Sequence, residues 1–308
     1  MVLSRDQQRE TLFAAAQALS VPIEKNDIEW RDGVVEIAGH KLHYLDWGVE
    51  GRRPLLLVHG GMQTAHSWDM VAVALKQRYH VVAVDLRGHG DSDWEGDYGY
   101  QSHARDLEGL VAHLGWQRFV LVGLSLGGLA AIEFAARRSA ALDALSIVDI
   151  GPELSMSGVN KIVDFGRAPG ELDSIDDFIA RALQFNPRRD PNALRYSLSH
   201  NLRRLENGRL GWKYDTRVAN NRGEPREVPA PGYLSVLWER LPQIACPTLV
   251  VRGAESSVFM EETGLRMAEL LPDGRFVTVQ DAGHTVPQDN PSAFLQTLNA
   301  FLRDRRLP

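Results

Sequence analysis

The chain has 308 residues and one cysteine, Cys246. That excludes an internal disulfide and a cysteine metal cluster, and a reducing, cytoplasmic setting is expected. Long apolar runs are also missing. The longest, such as 55–58, are strand-sized and far short of the ~18 residues of a membrane span. The opening residues, MVLSRD, lack the apolar core of a secretory signal. Basic charge is not in excess: 34 Lys and Arg against 40 Asp and Glu leave a formal net charge of −6. Binding to a nucleic-acid backbone needs a concentrated basic surface, which such a chain lacks. No internal repeat, low-complexity tract, P-loop, H-E-x-x-H or G-x-G-x-x-G after a strand is present. The expectation is a metal-free, cofactor-free protein with a small-molecule partner, acting as a monomer or homodimer.

What is there is an alternation. An amphipathic helix is expected over 3–19, with Leu12, Phe13, Ala16 and Leu19 on one stripe, as an appendage to the main fold. Strands follow at 28–37 and 41–47. Then come strands at 54–59, 80–85, 118–124 and 142–149, separated by helices at 67–78, 100–114 and 126–138. The runs PLLLVH and RFVLVGL are apolar throughout, as suits strands covered on both faces. Strands alternating with helices of this length argue for a mostly parallel α/β sheet with helices on both faces. The alternation stops near 152 and resumes with a strand at 248–253, a helix at 259–271, a strand at 275–280 and a helix at 290–303. Between them lie helical patterns at 174–185, 190–206 and 232–241. The expected organisation is an N-terminal extension (1–22), an α/β core (23–152 and 243–308) and a helical cap (153–242) over the carboxyl edge of the sheet. Ligands bind at that edge in open α/β sheets.

Three segments at strand ends carry residues able to do chemistry. GLSLG at 123–127 is G-x-S-x-G, a weak signal alone. Here it falls where a buried strand ends and a helix begins, the context of a nucleophile elbow. Ser125 would then sit on a strained turn, and the Leu126 N–H, unpaired at the helix start, would face a developing oxyanion. HGGM at 59–62 follows another buried strand, and its Gly61 N–H is the expected second oxyanion donor. His284, in DAGHT after the last strand, is the candidate base. A serine hydroxyl attacks only when a neighbouring group takes its proton, and imidazole does so near neutral pH.

Together HGGM, DLRGHGDS (85–92), GLSLGG (123–128) and AGH (282–284) resemble the α/β-hydrolase superfamily over about residues 28–303. The resemblance implies an α/β-hydrolase fold and a Ser–His–acid triad. It implies a structural role for DLRGHGDS, with Arg87 and Asp91 holding loops together. The chain departs from the common pattern at the acid. The loop after TLVVRG reads AESSV, with Ser256 and Ser257 where an Asp is expected. Three explanations compete: Glu255 turns inward, the acid comes from another strand, or the triad is incomplete. The second is favoured. Asp149 ends the strand after the nucleophile strand, where some branches of the superfamily, haloalkane dehalogenases included, carry the acid. A lone carboxylate in so apolar a strand would be costly, so Asp149 needs a partner.

In the cap, a helix over 190–206 would align Tyr196, His200 and Arg203 on one face. Arg and Tyr suit a carboxylate-bearing substrate. The arrangement and the segment GWKYD (211–215) resemble hydrolases of small acidic metabolites such as 2-(acetamidomethylene)succinate hydrolase. That resemblance ranks Arg167, Arg203 and Tyr214 first as substrate contacts. The function expected is a serine hydrolase that cleaves an ester, lactone or amide through an acyl-enzyme. The alternatives are a cofactor-free dioxygenase or lyase using the His–Asp pair as base, and a non-enzymatic small-ligand receptor.

Overall fold

The structure is a computed structural model that describes residues 4–167, 170–187, 189–215 and 233–307. After helix α1 (Arg5–Ala18), the strands β1 (Arg31–Ile37) and β2 (His40–Asp46) form a hairpin. Next come β3 (Arg53–Val58), α2 (Asp69–Leu75), β4 (Tyr79–Val84), α3 (Tyr100–His113), β5 (Phe119–Leu124), α4 (Leu126–Arg138) and β6 (Leu142–Val148). The intervening segment holds α5 (Met156–Arg167), β7 (Glu171–Leu172), α6 (Ile175–Phe185), α7 (Pro191–Asn201), β8 (Leu202–Arg204), β9 (Leu210–Trp212) and α8 (Val236–Arg240). The chain closes with β10 (Thr248–Gly253), α9 (Glu261–Leu270), β11 (Gly274–Val279), α10 (Val286–Asp289) and α11 (Pro291–Asp304).

Eight strands form one sheet in the order β1-β2-β4-β3-β5-β6-β10-β11. Only the pairings made by β2 are antiparallel. Side chains alternate across the sheet, so one strand feeds two cores. Leu55, Leu57, Val81, Ala83, Val120 and Val122 pack with α2 and α11. Leu56, Val58, Val82, Val84 and Leu121 face the other way and pack with α3, α4 and α9. Burial on both faces is why these strands read as continuous apolar runs.

Three expectations need correction. First, α1 is not an appendage. Leu12, Ala15 and Ala16 are buried in the same core as α2 and α11. Second, the segment expected to hold three helical stretches joined by turns also carries the small antiparallel sheet β7-β9-β8 and the helix α5, neither foreseen. Third, the helix expected over 190–206 ends at Asn201. Leu202–Arg204 instead pair with β9, so cross-strand bonding overrides their helix propensity. The helix expected over 232–241 is described only from residue 233, and runs from Val236 to Arg240.

Candidate active site

The carboxyl ends of β5, β6, β10 and β11 converge. At the end of β5, Ser125 has φ 52 and ψ −116, a conformation L residues rarely adopt. The glycines around it are required by contact. A Cβ on Gly123 would lie 2.4 Å from the Gly127 carbonyl oxygen, and one on Gly127 2.4 Å from that of Val58. Backbone blocks both, so no side-chain adjustment makes room. The strained turn lifts the Ser125 hydroxyl out of the sheet edge toward His284.

His284 Nε2 lies 3.0 Å from Ser125 Oγ, and His284 Nδ1 lies 2.8 Å from Asp149 Oδ2. A carboxylate can only accept, so Nδ1 carries the ring proton and Nε2 is left to accept from the serine. Asp149 is fully buried, whereas the His284 side chain is 19% exposed. Asp149 also has positive φ, 53°, at the end of β6, where its amide donates to the Val251 carbonyl at 2.7 Å.

The buried carboxylate has two more donors. Gly253 N–H donates to Oδ1 at 2.8 Å, and Ser256 Oγ–H to Oδ2 at 2.5 Å. Ser256 thus stands where the common pattern has an Asp, and its hydroxyl donates to the carboxylate supplied by the neighbouring strand. Ser256 Oγ in turn accepts from Val258 N and Phe259 N, both at 3.2 Å, which fixes its direction. Glu255, the competing acid, is exposed. Reasoning from sequence missed Ser256 as a partner. The signal was available: a hydroxyl standing where the common pattern has a carboxylate.

The amides around Ser125 are almost all taken. Gly60 N–H donates to Gln63 Oε1 at 3.0 Å, and Met62 N–H to His89 Nε2 at 3.2 Å. Ser125 N–H bonds Val148 O, and Gly127 N–H bonds His59 O. Between these lie the N–H groups of Gly61 and Leu126, for which no protein acceptor is found among the described residues. His89 accepts a backbone proton only when neutral. Burial, with His59 and His103 nearby, lowers its pKa to about 3.

DLRGHGDS ties loops together. Arg87 makes a two-bond pair with Asp106, at 3.1 and 2.5 Å, and Asp91 pairs with Lys213 at 2.6 Å. Asp85 accepts from Ala65 N and Asp91 N and faces His43 Nδ1 at 2.7 Å. Burial alone would lower the His43 pKa. Hydrogen bonds to Asp32 and Asp85 outweigh it and raise the pKa to about 9.

Among the described residues, two groups of side chains have metal-ligand chemistry. In His43–Asp85–Asp91 the histidine is cationic with both ring nitrogens bonded, so it has no lone pair to offer. In His66–Asp69–His200 the two rings are stacked with centroids 3.7 Å apart. Two imidazoles on one tetrahedral ion, at about 2.0–2.1 Å each, would hold their centres about 5 Å apart. That stack is a packing arrangement, capped by the Tyr196 hydroxyl on Asp69.

The expected substrate contacts separate. Tyr214 is 2% exposed, stacks on Trp212, and its hydroxyl has no hydrogen-bond partner among the described residues. It belongs to a cluster with Phe178 and Trp212 against which Met62, next to Gly61, is packed. Arg203 is exposed on β8 with its guanidinium 4.4 Å from the Trp94 ring centre. Tyr196 and His200 are buried against Asp69 and His66, so the three do not form the shared face that a longer helix implied. Arg167 ends α5, and its side chain lies outside the described residues, as does Arg217. Sequence reasoning passed over Arg181, whose guanidinium lies 4.9 Å from the Phe178 ring and 5.6 Å from the Trp212 ring.

Comparison with known proteins places the chain in a family. The model of the alpha/beta hydrolase family matches residues 55–297. Esterase Rv0045c of Mycobacterium tuberculosis is 31% identical, over 85% of this chain and 86% of its own. N-formylmaleamate deformylase of Pseudomonas putida is 29% identical, over 88% and 96%. Among solved structures, the M. tuberculosis esterase superposes with a TM-score of 0.76 at 27% identity, covering 98% of this chain and 99% of that one. E-2-(acetamidomethylene)succinate hydrolase shares the fold, with a TM-score of 0.79 at 23% identity and coverage of 89% and 100%. The elbow, the strand order and the matched family model lead to one assignment: the chain is a hydrolase of the alpha/beta hydrolase family.

Proposed function

We propose that the protein is a cofactor-independent serine hydrolase that cleaves an ester, lactone or amide bond of a small metabolite through an acyl-enzyme. Ser125 Oγ attacks the carbonyl carbon while His284 Nε2 takes its proton. Asp149 holds the ring in the required tautomer and stabilises the imidazolium that forms. The Gly61 and Leu126 N–H groups receive the negative oxygen, each contributing on the order of 10²–10³ in turnover. As the tetrahedral adduct collapses, His284 returns the proton to the leaving alcohol or amine. Water, deprotonated by the same nitrogen, then cleaves the Ser125 ester and releases a carboxylic acid.

The observation that carries this reading is the unbroken chain from Ser125 Oγ through His284 to Asp149, at 3.0 and 2.8 Å. The described part of the insertion carries an aromatic cluster that meets the loop of Gly61 at Met62, which supports reading it as the cap over this site. We assign a substrate bearing a carboxylate to that wall, with the Tyr214 hydroxyl as a donor and Arg181 as the nearby cation. A relative named for deformylating N-formylmaleamate supports the choice.

An active-site-directed fluorophosphonate tests the reading. Stoichiometric labelling of Ser125, abolished in Ser125→Ala and slowed at least a hundredfold in His284→Ala, is expected. No labelling, with turnover retained in Ser125→Ala, would mean that the His–Asp pair works as a base without acylation.

A further inference from the structure

His284 sits on a loop that one carboxylate grips from both sides. Asp289, the last residue of α10, accepts Gly283 N–H on Oδ2 at 2.9 Å. Its Oδ1 accepts the Thr285 hydroxyl at 2.9 Å. The residues immediately before and after His284 are therefore tied to the same group, whose side chain is 2% exposed. The remaining partners come from the inserted segment. Asn186, which caps the end of α6, donates to Oδ1 at 3.2 Å, and Arg189 Nε lies 3.7 Å from the same oxygen. Arg189 is itself largely buried, with 14% of its side chain exposed. A buried carboxylate with three hydrogen-bond donors and a buried cation has its charge met from two parts of the fold.

The same short helix reaches the oxyanion loop. Gln288 Nε2 donates to Ser67 O at 2.9 Å, and Gln288 Oε1 accepts from Gln63 Nε2 at 3.4 Å. Gln63 is the residue whose Oε1 takes the Gly60 amide. Helix α10 thus joins the His284 loop, the loop of the proposed oxyanion donor and the insertion.

We propose that Asp289 is a positioning residue that fixes His284 Nε2 on the Ser125 hydroxyl, and that the insertion secures it through Asn186 and Arg189. The inference rests on the serine-hydrolase reading above. Its physical basis is that the base must stay within hydrogen-bond reach of Ser125 through acylation and deacylation. A misplacement of about 1 Å costs on the order of 10²-fold. Bonds at 283 and 285 remove the backbone freedom that would permit one. Because two of the four partners belong to the insertion, a shift of that segment is transmitted to the histidine without touching substrate.

The test uses the full chain with p-nitrophenyl acetate and a fluorophosphonate. Asp289→Asn keeps the shape but replaces one acceptor oxygen with an NH₂ that faces donors. The expected result is a ten- to hundredfold fall in kcat with KM within threefold, and an equal fall in the rate of Ser125 labelling. The titrated fraction of active sites should stay near wild type, even as the loss of the counter-charge of Arg189 lowers the thermal midpoint. Arg189→Met, which leaves the loop's own bonds intact, should lower kcat three- to tenfold with the same split. An Asp289→Asn enzyme with kcat within twofold of wild type overturns the proposal. So does a loss fully accounted for by fewer titratable sites. Should that variant not fold, Thr285→Val decides by the same readouts: a kcat loss of about tenfold supports the role and an unchanged kcat refutes it. Wild-type protein that fails to label at Ser125 refutes the hydrolase reading instead. Labelled wild type with indifferent variants refutes only the role of Asp289.

Discussion

Replacing Asp149 by Asn tests the acid through its tautomer. All three groups facing this carboxylate are donors: Gly253 N–H on Oδ1, and Ser256 Oγ–H and His284 Nδ1–H on Oδ2. An Asn has one oxygen. The Gly253 amide is fixed backbone and cannot reverse, so the oxygen settles there and the NH₂ faces His284. The ring must then accept at Nδ1 and carry its proton on Nε2, where it cannot take one from Ser125. A wrong tautomer in an otherwise intact triad lowers turnover about 10⁴-fold, or about 5 kcal/mol of transition-state stabilisation. The assay is p-nitrophenyl acetate hydrolysis, with sites counted by fluorophosphonate titration. Relocating the acid sharpens the test. Ser256 Oγ is 2.5 Å from Asp149 Oδ2, so an Asp at 256 carries a carboxylate oxygen to within about 1.3 Å of the old one, by covalent geometry. Glycine suits the positive φ at 149 and clears space. Asp149→Gly with Ser256→Asp should therefore recover at least tenfold over Asp149→Gly alone. An Asp149→Asn enzyme with activity within tenfold of wild type, beside an inactive Glu255→Gln, would rule out Asp149 as the acid.

Other consequences follow from the same contacts. Gly123→Ala places a Cβ 2.4 Å from the Gly127 carbonyl. It should destabilise the chain by about 3 kcal/mol or more, read as a drop in denaturation midpoint. His43 has its folded pKa raised to about 9 from 6.5. Its contribution, about 3 kcal/mol at ~1.4 kcal/mol per pH unit, is complete below pH 6.5 and is lost as pH rises to 9. His43→Gln should flatten that decline in urea titrations. His89 and His103 behave oppositely, because burial lowers both to about 3. Between pH 6.5 and 3 the unfolded chain binds protons that the folded one refuses, so stability falls with acidification. His103→Phe should reduce the slope of stability against pH in that window.

Much of the site is written in residues whose type is forced by local contacts. The glycines of the elbow are demanded by backbone atoms less than 3 Å from any Cβ, so the motif was legible without coordinates. That the Asp149 carboxylate meets the His284 ring was legible as an omission, since AESSV lacks an Asp and Asp149 lies in an apolar strand. Its hydroxyl partner was not. That Ser256 points at Asp149 depends on β6 and β10 being neighbours in register, a long-range fact. The helix α5 escaped for a related reason. Ser157, Gly158 and Asn160 are weak helix formers. Gly158 is there because the Ser257 carbonyl would lie 2.0 Å from its Cβ, a closeness no local pattern announces. Likewise LRRLE after Asn201 suits a helix, and only pairing with β9 makes part of it a strand. Asp289 reads in sequence as one more polar residue before Asn-Pro, and its meaning appears only with Gly283, Thr285 and Asn186 around it.

The most direct measurement is a rapid acid quench of wild-type protein during its first turnovers of p-nitrophenyl acetate, followed by intact-mass and peptide mapping. An acetyl group on the Ser125 peptide should form with the first equivalent of p-nitrophenol and disappear as substrate is exhausted. Ser125→Ala should show no adduct and no turnover. Product release with Ser125 unmodified at every quench time, together with an active Ser125→Ala enzyme, would contradict an acyl-enzyme.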